Sequence, residues 1–125
     1  MNILVTGSNG QLGNEMRVAS ANLPKHTFIF TDVAELDITN QAAVNQFFKQ
    51  NKIDFVVNCA AYTDVNRAES DLEKAELINA TAPKILADCC KEFGAKFIHV
   101  STDYVFDGTA HLPYKETDKE NPVSA

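Results

Sequence analysis

Three glycines spaced Gly7-x-x-Gly10-x-x-Gly13 follow directly on the apolar run Asn2 to Thr6, and no other stretch of the chain restricts its architecture as tightly. The run reads as a buried parallel strand. Gly7 lets the backbone turn sharply, Gly10 has no Cβ to hold a pyrophosphate away from the main chain, and Gly13 lets the following helix pack close to the strand. The N-terminal N–H groups of that helix, with their partial positive charge, then point at the phosphates. Three glycines also make ordinary tight turns. Their place immediately after the first strand favours a dinucleotide-binding turn instead.

Strand and helix patterns alternate from there. Asn2 to Thr6 is a strand, Leu12 to about Asn22 a helix, Thr27 to Thr31 a strand, and Asn40 to Gln50 a helix with Ala43, Val44, Phe47 and Phe48 at helical spacing behind a Thr39 N-cap. Asp54 to Cys59 is a third, β-branched strand. A capping-box pattern at Ser70-Asp71-Leu72-Glu73 opens a helical region whose stripe is Ile78, Ala82, Ile85, Leu86, Cys89 and Phe93, ended by Gly94. Pro83 lies inside it and predicts a kink or two helices meeting, because proline lacks an N–H and crowds the preceding turn. Lys96 to Val100 is the fourth strand. Right-handed crossovers give an α/β fold, a parallel sheet of order 3-2-1-4, which is half of a doubly wound (Rossmann-like) domain spanning 1–125. After Ser101 the pattern is turns and charge, and the further strands of such a domain are missing, so the chain reads as truncated.

Composition narrows the function classes. With 125 residues, 45% of them hydrophobic, the chain supports one domain. A net charge of −6 without a basic cluster leaves no electrostatic footprint for nucleic acid or an anionic membrane. No apolar stretch approaches a membrane span and no signal-peptide pattern opens the chain, so a cytoplasmic protein is expected. Cys59, Cys89 and Cys90 fit neither a disulfide framework nor metal spacing and read as core thiols. His99 falls inside a strand, as a satisfied core histidine would. No metal motif is present; the acidic run through Asp103, Asp107, Glu116 and Asp118 reads as a solvated loop.

In open α/β sheets ligands bind beyond the carboxyl ends of the strands. After the first strand stand Gly10, Gln11 and Leu12. After the second stands Asp32, nineteen residues past Gly13, where a carboxylate takes ribose hydroxyls and repels a 2′-phosphate, favouring NAD; as a residue type it also serves to begin a loop. Asp37-Ile38 offers a carboxylate and an apolar wall suited to adenine, or simply leads into the next helix. Ala60 and Ala61 end the third strand with small side chains. Beyond the fourth lies Ser101-Thr102-Asp103-Tyr104-Val105-Phe106-Asp107-Gly108, where a hydroxyl can hydrogen-bond a carbonyl oxygen that gains charge as hydride arrives.

The segments Thr6 to Gly13, Val57 to Thr63, Asn79-Ala80-Thr81 and above all Ser101 to Gly108 resemble the dTDP-4-dehydrorhamnose reductase family, a branch of the extended short-chain dehydrogenases/reductases, in order along the whole chain. The resemblance implies NADH- or NADPH-dependent reduction of a dTDP-sugar, with Mg2+ as a further ion and a homodimer left open. It places Gly7, Gly10, Gln11, Leu12, Gly13, Asp32, Asp37, Ile38, Ala61, Tyr62, Thr63 and Val100 at the cofactor, Thr102 as the catalytic hydroxyl, and Thr102 and Asp103 against the sugar nucleotide. The family's catalytic Tyr-x-x-x-Lys would begin just after Ala125. Tyr62, Tyr104 and Tyr114 have no Lys four residues on, so the chain as given is expected to be inert. Two other readings stay open: a catalytically silent NAD(P)-binding regulatory subunit, and a nucleotide-sugar epimerase or dehydratase of the same fold.

Overall fold

The computed structural model describes residues 1–123; the last two positions of the expected domain lie outside the described residues. Strand β1 (Asn2–Thr6) leads into helix α1 (Gln11–Ser20), β2 (Thr27–Phe30), α2 (Gln41–Gln50) and β3 (Phe55–Asn58). Short helices α3 (Val65–Ala68) and α4 (Leu72–Glu76) follow, then a π-helical turn (Leu77–Thr81), α5 (Ala82–Phe93) and β4 (Lys96–His99). The α/β class and the all-parallel sheet agree with the sequence. Its order does not: the strands run β2-β1-β3-β4, not 3-2-1-4.

The reason lies in which face each helix covers. Val44 and Phe48 of α2 share one buried cluster with Leu86, Cys89 and Cys90 of α5 and with Leu4 and Val56 of the sheet. Helix α1 packs on β1 and β2. On that side lies Phe30 of β2, under Arg17, whereas Ile29 faces the α2–α5 cluster. A right-handed crossover on the α1 face moves the chain one way from β1 to β2; one on the α2 face must move it back across β1. The third strand therefore pairs with β1, in register from Ile3 opposite Phe55 to Thr6 opposite Asn58.

Local corrections have equally local causes. Asn40, not Thr39, caps α2, its Oδ1 accepting from Ala43 N at 3.1 Å, because Thr39 is already turned back to donate to Asp37. Asp71, not Ser70, holds the N-cap position of α4 and makes no side-chain cap bond, while the Ser70 hydroxyl donates to the Arg67 carbonyl. Pro83 does mark a junction. It offers no N–H to the Asn79 carbonyl four residues earlier, and the helix widens to a π-turn just ahead of it. Gly94, at φ 74°, closes α5 in the left-handed conformation that glycine adopts freely.

Cys89 and Cys90 are buried and Cys59 half-buried, all three reduced. Burial pushes the Cys90 thiol up to about 11. The tail beyond β4 is exposed, yet it closes on itself around Asp107, which accepts from the N–H and hydroxyl of Thr109, the hydroxyl of Tyr114 and the amide of Asn121. These donors, the Thr109 N–H foremost, hold the Asp107 carboxyl well below the usual carboxylate range. Among the described residues no group of three potential ligands could hold a metal ion, and no helix is long and apolar enough to cross a membrane.

Candidate nucleotide-binding site

The carboxyl ends of β1, β2 and β3 open into one cleft of about 560 Å3. Its floor is the glycine loop, and the three glycines do different work there. Gly7 sits at φ +61°, and a Cβ on it would lie 2.5 Å from the Ala60 backbone; one on Gly13 would lie 2.5 Å from the Gly7 carbonyl oxygen and Ser8 Cα. Both are glycine because the chain itself fills the space. Gly10 differs: it is extended (φ −76°, ψ 176°), and a Cβ there would meet only the Gly7 oxygen, at 3.3 Å. Gly10 lines the cleft, and no other atom of the chain fills the space beside it.

Gly10 is also the N-cap of α1 and provides no side-chain bond, and the first turn carries no acidic residue. No side chain of the helix itself therefore caps or neutralises its first-turn N–H groups. Next to the helix start stands Asp32, whose Oδ2 accepts from Asn9 N and whose Oδ1 accepts from Val33 N, both at 2.9 Å. Each carboxylate oxygen retains a further lone pair for a hydroxyl. Asp37 accepts from Thr39 N and Oγ1 at 2.9 and 2.6 Å, and buried Ile38 beside it supplies an apolar wall. Leu36, Leu77 and Ile78 extend that wall, and Lys74 places a cation on the rim.

Of the residues expected at a cofactor, Gly7, Gly10, Asp32, Asp37, Ile38 and Ala61 line the cleft together. Gln11, Leu12 and Gly13 lie at the α1 start without lining it, and Gly13 is buried beneath the loop. Tyr62 and Thr63 follow Ala61, with the Tyr62 ring under Lys74 Nζ at 5.8 Å. Val100, Thr102 and Asp103 stand apart, exposed beyond β4 at the far side of β3. The Thr102 hydroxyl donates to Asp103 at 3.2 Å. Next to them Tyr104 takes φ 52°, a left-handed conformation that costs a bulky side chain energy.

Two asparagines that lie within the segments carrying the family resemblance, but to which the sequence assigned no role, hold these strand ends in place. Asn58, 1% exposed, accepts from the Thr6 hydroxyl at 2.6 Å and from Ala60 N at 3.2 Å, and its amide donates to His99 Nδ1 at 3.1 Å, so the ends of β1, β3 and β4 are tied at one residue. His99 is thus satisfied, though exposed and at the sheet edge instead of in the core. Asn79, in the π-turn, accepts from Tyr62 N at 2.8 Å and donates to Tyr62 O at 3.0 Å. It replaces a strand partner for the loop that carries Ala61. A polar residue closing the apolar run Phe55–Asn58 was the available signal for Asn58. For Asn79 it was the position four residues before Pro83. A second hollow, about 300 Å3 along Glu69–Glu73, is lined by three carboxylates and suits no anionic ligand.

Comparisons with known proteins match the fold along the whole chain. A family model described as RmlD substrate binding domain matches residues 1–125. The dTDP-4-dehydrorhamnose reductase of Burkholderia thailandensis is 45% identical over 125 residues, covering 100% of this chain and 41% of that relative. Among solved structures, a dTDP-4-dehydrorhamnose reductase from Clostridium acetobutylicum superposes with a TM-score of 0.93 at 48% identity, over 99% of this chain and 44% of that one. The dTDP-4-dehydrorhamnose reductase of Bacillus anthracis, solved in complex with NADP, gives 0.91 at 34% identity, over 98% and 44%. The chain therefore spans well under half the length of these relatives. Matched from its first residue to its last, it belongs to the RmlD substrate binding domain family, among relatives named dTDP-4-dehydrorhamnose reductase.

Proposed function

We propose that this chain supplies the cofactor-binding half of an NAD(P)H-dependent reductase that converts dTDP-4-dehydro-L-rhamnose to dTDP-L-rhamnose. The observation that carries the reading is a single juxtaposition: the uncapped start of α1, the side of Gly10 left open, and the Asp32 carboxylate all meet at one cleft. That set fits a dinucleotide. The α1 N–H groups and Gly10 hold the pyrophosphate, Asp32 takes adenosine ribose hydroxyls with its free lone pairs, and Ile38 with Leu36 flanks the base. When bound, the nicotinamide supplies hydride to C4 of the sugar.

The chain's own contribution to that step is Thr102. Its hydroxyl now donates to Asp103; turned to the sugar C4 oxygen, it gives a hydrogen bond that strengthens as charge collects there. The test uses the chain carried on to the length of its relatives, following loss of reduced nicotinamide absorbance with dTDP-4-dehydro-L-rhamnose. Thr102→Val should lower kcat about 10²-fold with KM little changed, the signature of an interaction made only in the transition state. An unchanged kcat would remove Thr102 from the chemistry, and no turnover by the unaltered chain would favour a silent binding subunit.

A further inference from the structure

We propose that Arg17, which does not line the cleft itself but holds the Ser8 side of the loop at its edge, is its coenzyme-selecting residue, receiving the adenosine 2′-phosphate of NADPH beside Asp32. The inference rests on the dinucleotide reading above and adds a recognition element to it. Helix α1 carries Arg17 on the face turned to β2, where its guanidinium lies over the Phe30 ring at 4.4 Å from the centroid. Its Nη2 donates to the Ser8 hydroxyl at 3.1 Å. Ser8 N in turn donates to the Thr31 carbonyl, and the next N–H, that of Asn9, is the one held by Asp32. Phe30 ends β2 and Asp32 stands two residues beyond it, with Thr31 N still bonded to the Val5 carbonyl. Arg17 and Asp32 therefore flank the same short stretch, Ser8-Asn9, from two sides.

Asp32 alone would exclude a 2′-phosphate by charge repulsion. Arg17 supplies the opposite charge at the neighbouring position. Ser8 occupies one of its five N–H donors, and among the described residues no carboxylate lies within ion-pair distance of it. Stacking on Phe30 fixes the planar fork in advance, so little orientation is lost when a phosphate pairs with it. Lysine provides neither the fork nor the stack. The chemistry at this spot is thus a ribose hydroxyl for Asp32 or a phosphomonoester for Arg17.

The experiment measures NADPH and NADH dissociation constants by fluorescence titration for the full-length chain and its Arg17→Gln and Arg17→Lys variants. Arg17→Gln should weaken NADPH about tenfold or more while NADH stays within about twofold, as expected for loss of a hydrogen bond to a charged group. Arg17→Lys should fall between, and NADPH binding by the unaltered protein should weaken more steeply with salt than NADH binding. Retained NADH affinity doubles as the folding control. Equal losses for both coenzymes would mean that Arg17 only braces Ser8 and Phe30, and an unchanged NADPH constant would remove it from the site; either overturns the proposal. If the unaltered chain binds neither coenzyme, the dinucleotide reading itself has failed.

Discussion

Alanine placed in turn at Gly7, Gly10 and Gly13 separates glycine kept for the fold from glycine kept for a ligand. At Gly13 the new Cβ would lie 2.5 Å from backbone atoms of Gly7 and Ser8, which cannot swing away. Such overpacking costs about 1–3 kcal/mol, offset by about 1 kcal/mol of improved helix propensity. At Gly7 the same crowding, against Ala60, adds to about 1–2 kcal/mol for a positive φ, so the loss should reach about 2–5 kcal/mol. At Gly10 the backbone is already ordinary for alanine and the contact is 3.3 Å to one oxygen, so the change should be near neutral, or stabilising by up to about 1 kcal/mol. Thermal unfolding should then rank Gly7→Ala below Gly13→Ala below the unaltered chain, with Gly10→Ala level with it. NADH titration of the full-length protein should show the converse for Gly10→Ala, at least about a tenfold weaker constant, worth about 1.4 kcal/mol. If Gly10→Ala destabilises as much as Gly13→Ala, or binds NADH as the unaltered chain does, the assignment of Gly10 to the ligand is refuted.

Other outcomes follow from single contacts. Asn79→Ala removes both bonds to the Tyr62 backbone and should cost about 1–2 kcal/mol in denaturant unfolding, with a weaker NADH constant because the loop bearing Ala61 loosens; an unchanged constant would confine Asn79 to stability. Asp107 is held below its ordinary 3.8 by the donors around it, so what it contributes to the order of the tail should be complete above about pH 4 and drain away as pH falls through its lower folded value. Carboxyl NMR titration showing an Asp107 midpoint at or above the ordinary value would contradict this. Burial should also leave Cys90, pushed up to about 11, almost unreactive toward a thiol reagent at neutral pH in the folded protein, with rapid modification on unfolding; fast modification of the native chain would refute the packing described.

What the sequence disclosed and what it withheld divide along physical lines. The glycine loop was legible because each glycine answers a local demand of turn, approach or packing, and Asp32 because its distance from that loop is set by one helix and one strand. Sheet order was not legible. The stripe of Val44 and Phe48 states that α2 has a buried face but not which face of the sheet receives it, and only the shared cluster with Leu86 and Cys89 decides that. The roles of Asn58 and Asn79 were not legible, although their segments carried the resemblance, because their partners lie far along the chain, Thr6 and His99 for one and Tyr62 for the other. Thr102 and Asp103 were legible only by resemblance; in the fold they stand exposed and away from the cleft.

The central claim is that the cleft at the glycine loop is the dinucleotide site, and amide chemical-shift mapping of the full-length protein with NADH tests it most directly. The largest shifts are expected at the N–H groups of Gly10, Gln11 and Leu12, where α1 begins, with accompanying shifts at Asp32 and Ile38 and little change along Glu69–Glu73. Saturable NADH binding whose shifts bypass the start of α1 would contradict it.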